Sequence, residues 1–243
     1  MRTYRLNPVS RAVVRAALPA VAVLLCACSS PNASPPAGAA HDAEMQALLA
    51  RVQYLEDMIA IEKLQSKYVH LLFTQRFSRI VDECFARKTP DVSVEFSDSG
   101  VYKGIDSVRR LYAAFEKARE IPGWFIMHMT VNPYIEIARD GQSARSHWLS
   151  PGASGRDTSA SWIWGPYYID YVKEDGEWRI QRTNFAPLFR NRYEESWAKA
   201  KDHGTVRGFL PEPDAPPTLY RPYNELKKEK DIFRNHPDLP EPY

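Results

Sequence analysis

The sequence predicts an α+β fold: a cone-shaped, curved antiparallel or mixed sheet wrapped around helices, with a long N-terminal helix and a Pro-rich C-terminal arm. Three observations carry this reading. Apolar residues recur at helical spacing from Glu44 onward, the stretch from Trp124 to Ala186 alternates like paired strands rich in Trp and Tyr, and the composition changes at both ends of the chain. The 243 residues suffice for one generous domain with additions at its ends. A net charge of +2 gives no reason to expect a nucleic-acid partner.

The chain opens with Arg2, Arg5, Arg11 and Arg15, followed by the apolar run Ala16 to Ala27, too short to span a bilayer. The run closes as Leu25-Cys26-Ala27-Cys28, which resembles a bacterial lipobox. Residues 1–27 are therefore expected to be a signal peptide, with lipid on the Cys28 thiol anchoring the chain without spanning the membrane. Ser29 suggests the periplasmic face of the outer membrane. Residues 28–43 are Pro-, Ala- and Ser-rich and read as a flexible tether. Cys26 leaves with the signal, so the mature domain keeps only Cys84 besides the lipidated Cys28; it is expected in the core, with no internal disulfide.

The domain proper is expected over 44–190. Leu48, Val52, Leu55 and Ile59 form one helical stripe that packs on a partner subunit or on the sheet, and the helix continues through Ile61, Leu64, Tyr68 and Leu71. A second helix covers Ser78 to Phe85. Val92, Val94 and Phe96 alternate with Ser93, Glu95 and Ser97 as in a half-buried strand, and Ser99-Gly100 returns the chain. Asp106 is a plausible N-cap for a helix with Val108, Leu111, Tyr112 and Phe115 on its apolar face, stopped by Pro122-Gly123. Two hairpins follow, turning at Asp140-Gly141 and Asp175-Gly176, with Ser150 to Ser159 as the loop between them. Asn132-Pro133 can bulge. Residues 191–243 read as a helix plus the arm, punctuated by Pro and Tyr, with the helical stretch FRNRYEESWAKAKDH starting at Phe189.

LEDMIAIEKLQSKYVHLL, VSVEFSDSGVYKG, HMTVNPYIEIARDGQSA and YIDYVKEDGEWRI, in that order, resemble the SnoaL-like branch of the nuclear-transport-factor-2-like superfamily. Relatives such as scytalone dehydratase, hexachlorocyclohexane dehydrochlorinase and bile acid 7α-dehydratase are cofactor-free lyases. The resemblance implies His128 as the pocket acid/base and Tyr68 as its hydrogen-bonding partner. It also marks a departure: where those lyases carry the Asp that orients the histidine, this chain has Phe73. The Pro-rich tail and the crowded Trp/Tyr strands are also similar to the diarylpropane γ-formaldehyde lyases of sphingomonads.

Read from the residues themselves, a neutral imidazole at His128 can take or give a proton in a greasy cavity. The bland alternative is a histidine satisfied on a sheet face. Arg182 shares the phase of Trp178 and Ile180, so it is a candidate anion holder, with Asn184 on the same side. Phe73, Val94, Phe96, Trp124, Trp164 and Tyr167 are the other candidate substrate contacts, by aromatic stacking and area burial. His147 pairs opposite Tyr134 in a regular hairpin and is expected at a surface or interface. His41, His70, His203 and His236 are scattered, and no metal-ligand spacing or phosphate-cradling loop is present in the sequence. No cofactor is expected.

These readings converge on a cofactor-independent lyase for a hydrophobic, aromatic small molecule, eliminating water or formaldehyde in a cone-shaped pocket, within a homo-oligomeric (dimeric or trimeric) periplasmic lipoprotein. The alternatives are a lipoprotein that binds the same ligand without turnover, a structural lipoprotein, and a ketosteroid-type isomerase using Glu95 or Asp98.

Overall fold

The computed structural model describes residues 37–199, 209–219, 223, 228, 231, 233 and 236–243. The expected signal peptide, Cys28 and His203 lie outside the described residues, among which no helix is long and apolar enough to cross a membrane. The chain divides into two units, 1–44 and 45–243. Of the first, the described residues 37–44 are helical, so α1 (Ala37–Phe73) begins inside the stretch expected to be tether. The second unit carries everything that follows.

The face of α1 that meets the core is Ile61, Leu64, Tyr68, Leu71 and Leu72, at spacings of three, four, three and one. The earlier stripe of Leu48, Val52, Leu55 and Ile59 does not lie on the sheet: each side chain is 43–60% exposed. Helix α2 (Phe77–Cys84) buries Phe77, Ile80, Val81 and Cys84. Helix α3 (Gly104–Ala118) buries the predicted Val108, Leu111, Tyr112 and Phe115. Asp106 sits in its first turn, where a carboxylate favours the helix dipole, while Lys103 occupies the cap.

Eight strands make one mixed sheet: β1 (Ser93–Phe96), β2 (Gly100–Lys103), β3 (Phe125–His128), β4 (Val131–Ile137), β5 (Ser143–Arg156), β6 (Ser159–Glu174), β7 (Glu177–Phe185) and β8 (Phe189–Arg192). The order is β2-β1-β7-β6-β5-β3, with β4 on β5 and β8 on β6; β1 runs parallel to β7 and the other pairs are antiparallel. The second unit is thus α+β: one curved mixed sheet with helices packed against it, entered by a long N-terminal helix. Asp175 and Gly176 both take positive φ in the β6–β7 hairpin, as a two-residue turn demands. Asn132 takes φ 51° where the β4–β5 register breaks between Val131 and Tyr134, and Tyr134 does pair with His147.

Three segments differ from the sequence reading. Ser150 to Ser159 is not a loop: β5 runs on through Pro151, Gly152 and Gly155 to Arg156, paired with β6 along its whole length. The start of the expected last helix, Phe189 to Arg192, is instead strand β8. Glu95, placed on the watery face of β1, is only 7% exposed because the arm covers it: its carboxylate accepts from Thr218 N and Oγ1, both at 2.7 Å, and from Leu219 N at 3.3 Å. The arm is held further by a bridge between Val101 and Ala215 and by Tyr102 Oη donating to Pro211 O at 2.8 Å.

Candidate active site

Register alone assembles the site. His128 pairs with Gly152, Gly152 with Ile163, and Ile163 with Arg190, so one row crosses β3, β5, β6 and β8. Directly paired residues share a face, which puts the imidazole and the guanidinium on the same concave wall. Gly152 leaves the space between them open. A Cβ there would meet Met127 O at 2.8 Å and His128 Nδ1 at 3.0 Å, so this position accepts no side chain without shifting the ring. A second row, Phe96–Phe185–Tyr167, supplies the apolar floor from β1, β7 and β6.

Together with Tyr68 and Leu72 from α1, Phe115 from α3, Asp98 and the arm's Phe209 and Leu210, these residues enclose a cavity of ≈ 40 Å³. That is room for water or a small substituent, not for an aromatic ring. His128 is 5% exposed and packs edge-on against Phe185 (centroids 4.7 Å) and Tyr167 (6.4 Å). Its Nδ1 lies by Gly152 with no hydrogen-bond partner among the described residues. Burial, and secondarily the charge of Arg190, lower its pKa from 6.5 to about 3, so the imidazole is neutral and a proton acceptor at neutral pH.

Tyr68 shares a 2.9 Å hydrogen bond with Tyr112. Burial first, and then Tyr112, raise its pKa well above the phenol range; Tyr167 is shifted the same way by burial and by Tyr68. Tyr68 is therefore a neutral donor and not a base. Arg190 Nε donates to Asp98 Oδ2 at 2.8 Å, with Asp98 almost wholly enclosed. This buried pair sits in the turn after β1 and on β8. The segment was expected to be helical, and Phe189–Arg190–Asn191–Arg192, with one apolar residue in four, has no alternation to mark a strand.

Of the residues named from sequence, His128, Tyr68, Phe96, Tyr167 and Asp98 line the cavity. Trp124 lines an adjoining pocket and packs on Phe77, Phe115 and Phe209. Arg182 does not reach the cavity. The β6–β7 register slips between Asp170–Arg182 and Tyr171–Ile180, leaving Gln181 as an extra residue. This bulge reverses the strand's phase: Trp178, Ile180, Thr183 and Phe185 turn in, while Arg182 turns out to Asp170 at 3.4 Å. Asn184 moves with it and accepts from Ser97 Oγ at 2.8 Å. Val94 is fully buried core away from the cavity, and Trp164 is 47% exposed on the opposite side of β6, stacked on Phe189. Phe73 is 49% exposed and meets Phe125 edge-on, so it neither replaces nor obstructs a partner for His128. Cys84 is core, its thiol pushed up to about 12 by burial. Among the described residues, no cluster of His, Cys, Asp and Glu has the makings of a metal centre.

A model of the SnoaL-like domain family matches residues 53–184, more than half of the chain. The chain belongs to the SnoaL-like family. Solved structures share the fold. A scytalone dehydratase-like protein from Novosphingobium aromaticivorans DSM 12444 is 16% identical at a TM-score of 0.51, covering 60% of this chain and 93% of that one. Hexachlorocyclohexane dehydrochlorinase LinA-type3 from Novosphingobium barchaimii LL02 is 16% identical at a TM-score of 0.50, covering 60% and 96%. LinA itself is 15% identical at a TM-score of 0.51, over the same shares. No curated protein matches the chain in sequence. Within this SnoaL-like domain, then, the pocket carboxylate comes from Asp98 and is engaged by Arg190, while His128 stands without one.

Proposed function

We propose that this protein is a cofactor-independent lyase that acts on a hydrophobic aromatic small molecule, with His128 as the acid/base. One observation carries the reading: a buried, neutral imidazole with no hydrogen-bond partner at Nδ1 lines a mainly aromatic cavity beside the Asp98–Arg190 pair. An unsatisfied buried polar group lowers stability, and such groups persist where they do chemistry. The fold shared with a dehydratase-like protein and with dehydrochlorinases supports the same reading.

The chemistry needs only one proton carrier. In a dehydration, His128 takes a proton from the carbon beside the leaving group, the C–O bond breaks, and the imidazolium returns that proton to the departing oxygen as water. In a formaldehyde release, His128 takes the proton of a hydroxymethyl group, the C–C bond breaks, formaldehyde leaves, and the same proton quenches the carbanion. In either case the ligand's developing negative charge supplies the counter-charge that the empty cavity denies the imidazolium, which raises its basicity in the complex. Tyr68, as a neutral phenol, offers that charge a hydrogen bond, and Arg190 offers its field. The lipid on Cys28 would hold the domain at the periplasmic face of the outer membrane, and the exposed stripe of α1 supports a homo-oligomer.

The missing carboxylate partner of His128 favours a second reading, capture without turnover. Incubation with a panel of aromatic 1,3-diols, each able to lose water or formaldehyde, separates the two. Turnover that falls at least about 100-fold in His128→Gln, with the fold retained, supports the lyase. Ligand bound and recovered unchanged selects the binder, and undiminished turnover in the variant removes His128 from the mechanism.

A further inference from the structure

The ≈ 40 Å³ cavity cannot admit the ring of the aromatic ligand proposed above, but it has a neighbour that can. A second pocket of ≈ 260 Å³ adjoins it, and Phe115, Ile126, Arg190 and Phe209 line both. Combined they approach the lower end of the usual range for small-molecule sites, about 300 Å³.

The lining of this outer pocket follows from register. Two residues along from the row His128–Gly152–Ile163–Arg190 comes the row Ile126–Ser154–Ser161–Arg192, on the same face because a strand's period is two. One step further, Arg156 pairs with Ser159 at the β5–β6 turn. Arg190, Arg192 and Arg156 thus lead from the cavity to the rim, facing the rings of Trp124, Phe125 and Phe209. Arg190 is committed to Asp98. Arg156 and Arg192 have no acidic partner among the described residues, and no Asp or Glu lines this pocket. Planar guanidiniums with serine hydroxyls between them fit a carboxylate, and flat walls fit the ring that carries it.

The geometry points to this vestibule as an anion-recognising subsite for an aromatic carboxylate: the acid is held by Arg156 and Arg192, the ring lies against Trp124 and Phe209, and a small reacting substituent enters the cavity of His128. This rests on the proposed lyase for the substituent's fate but not for the binding.

Binding therefore tests it. Isothermal titration of the full-length protein uses 2-naphthoate and its neutral isostere 2-naphthamide as probes, at low ionic strength. The acid is expected to bind at least tenfold tighter than the amide. In the double variant Arg156→Gln/Arg192→Gln that preference disappears while amide affinity stays within about twofold. Each single variant loses part of it, and melting curves confirm that these exposed substitutions leave the fold intact. His128→Gln keeps the preference, so a failure of the lyase reading and a failure of the subsite are told apart. Equal affinity for the two probes in the native protein, no binding of either, or a preference that survives the double substitution overturns the subsite.

Discussion

Two buried polar groups, one at each end of the cone, are handled in opposite ways. At one end Asp57, 6% exposed, accepts from Lys173 Nζ at 2.7 and 2.9 Å and from Trp178 Nε1 at 2.8 Å, while Lys173 also lies over the Trp178 ring at 4.8 Å. Burial pushes that carboxyl's pKa up, but the hydrogen bonds from Lys173 and Trp178 outweigh it and hold the pKa below the usual carboxylate range. At the other end His128, equally buried, has a nitrogen with no partner and a pKa driven down by burial. A satisfied charge cluster ties α1 to the sheet; the imidazole packs against Phe185 and Tyr167 but adds no polar tie, and it lines the cavity instead. Satisfaction, rather than burial, separates scaffold from site.

The comparison breaks most easily at Asp57. Asp57→Ala leaves Lys173 uncompensated and is expected to cost about 3–5 kcal/mol in urea unfolding, while turnover per folded molecule stays the same. A loss of turnover without a loss of stability would put Asp57 on the side of the site. Gly152→Ala probes the opposite end: the new Cβ presses on His128 Nδ1 and two carbonyls, with an expected cost of about 1–3 kcal/mol. Turnover should fall more than this stability loss accounts for, because the ring is displaced; activity unchanged in a folded variant would show that ring position is immaterial.

The finest test is pH. The folded pKa of His128 lies below its unfolded value of 6.5, so the unfolded chain binds the proton more readily. Stability therefore declines as pH falls below 6.5 and goes on declining to about 3, by at most on the order of 1 kcal/mol per unit. Asp57 works lower down. Its contribution is intact above the ordinary carboxylate pKa and fades as pH drops through its depressed folded value. Unfolding curves between pH 6.5 and 4.5 should thus lose much of their slope in His128→Gln and keep it in Asp57→Ala. His147 and His236, also shifted down by burial, leave a residual slope in both variants; a slope in His128→Gln as steep as in the parent would mean that the imidazole is already charged in the native state.

The legible parts of the molecule were those with a clean period. Val108, Leu111, Tyr112 and Phe115 declared α3, whereas His128, expected on a pocket strand, closes the short strand β3 that pairs with β5 ahead of the first hairpin. Arg182 and Asn184 were misplaced because one extra residue, Gln181, inverts the faces of β7, and nothing in its side chain announces this. Arg190 was missed because FRNR, with one apolar residue in four, carries no two-residue period to mark it as a strand. Gly152 and Pro151 read as loop punctuation, whereas the structure uses the glycine to bring the backbones of β3, β5 and β6 close beside the imidazole. Glu95 could not be read as buried, since what buries it is more than a hundred residues away in the chain.

Strand β6 has one further effect. It is a single sixteen-residue rod with two sets of neighbours, β7 along one stretch and β8 along another. Its odd-numbered residues from Ile163 to Tyr171 all point inward, and Gly165 is clamped where any Cβ would fall 2.2 Å from Ala186 O. Slipping the rod by one notch would drive Trp164 and Tyr168 into the interior and jam a side chain against that carbonyl. The salt cluster at one tip and the wall beside the imidazole at the other are therefore indexed to each other like marks on one ruler, and neither can be re-spaced while the other stays put.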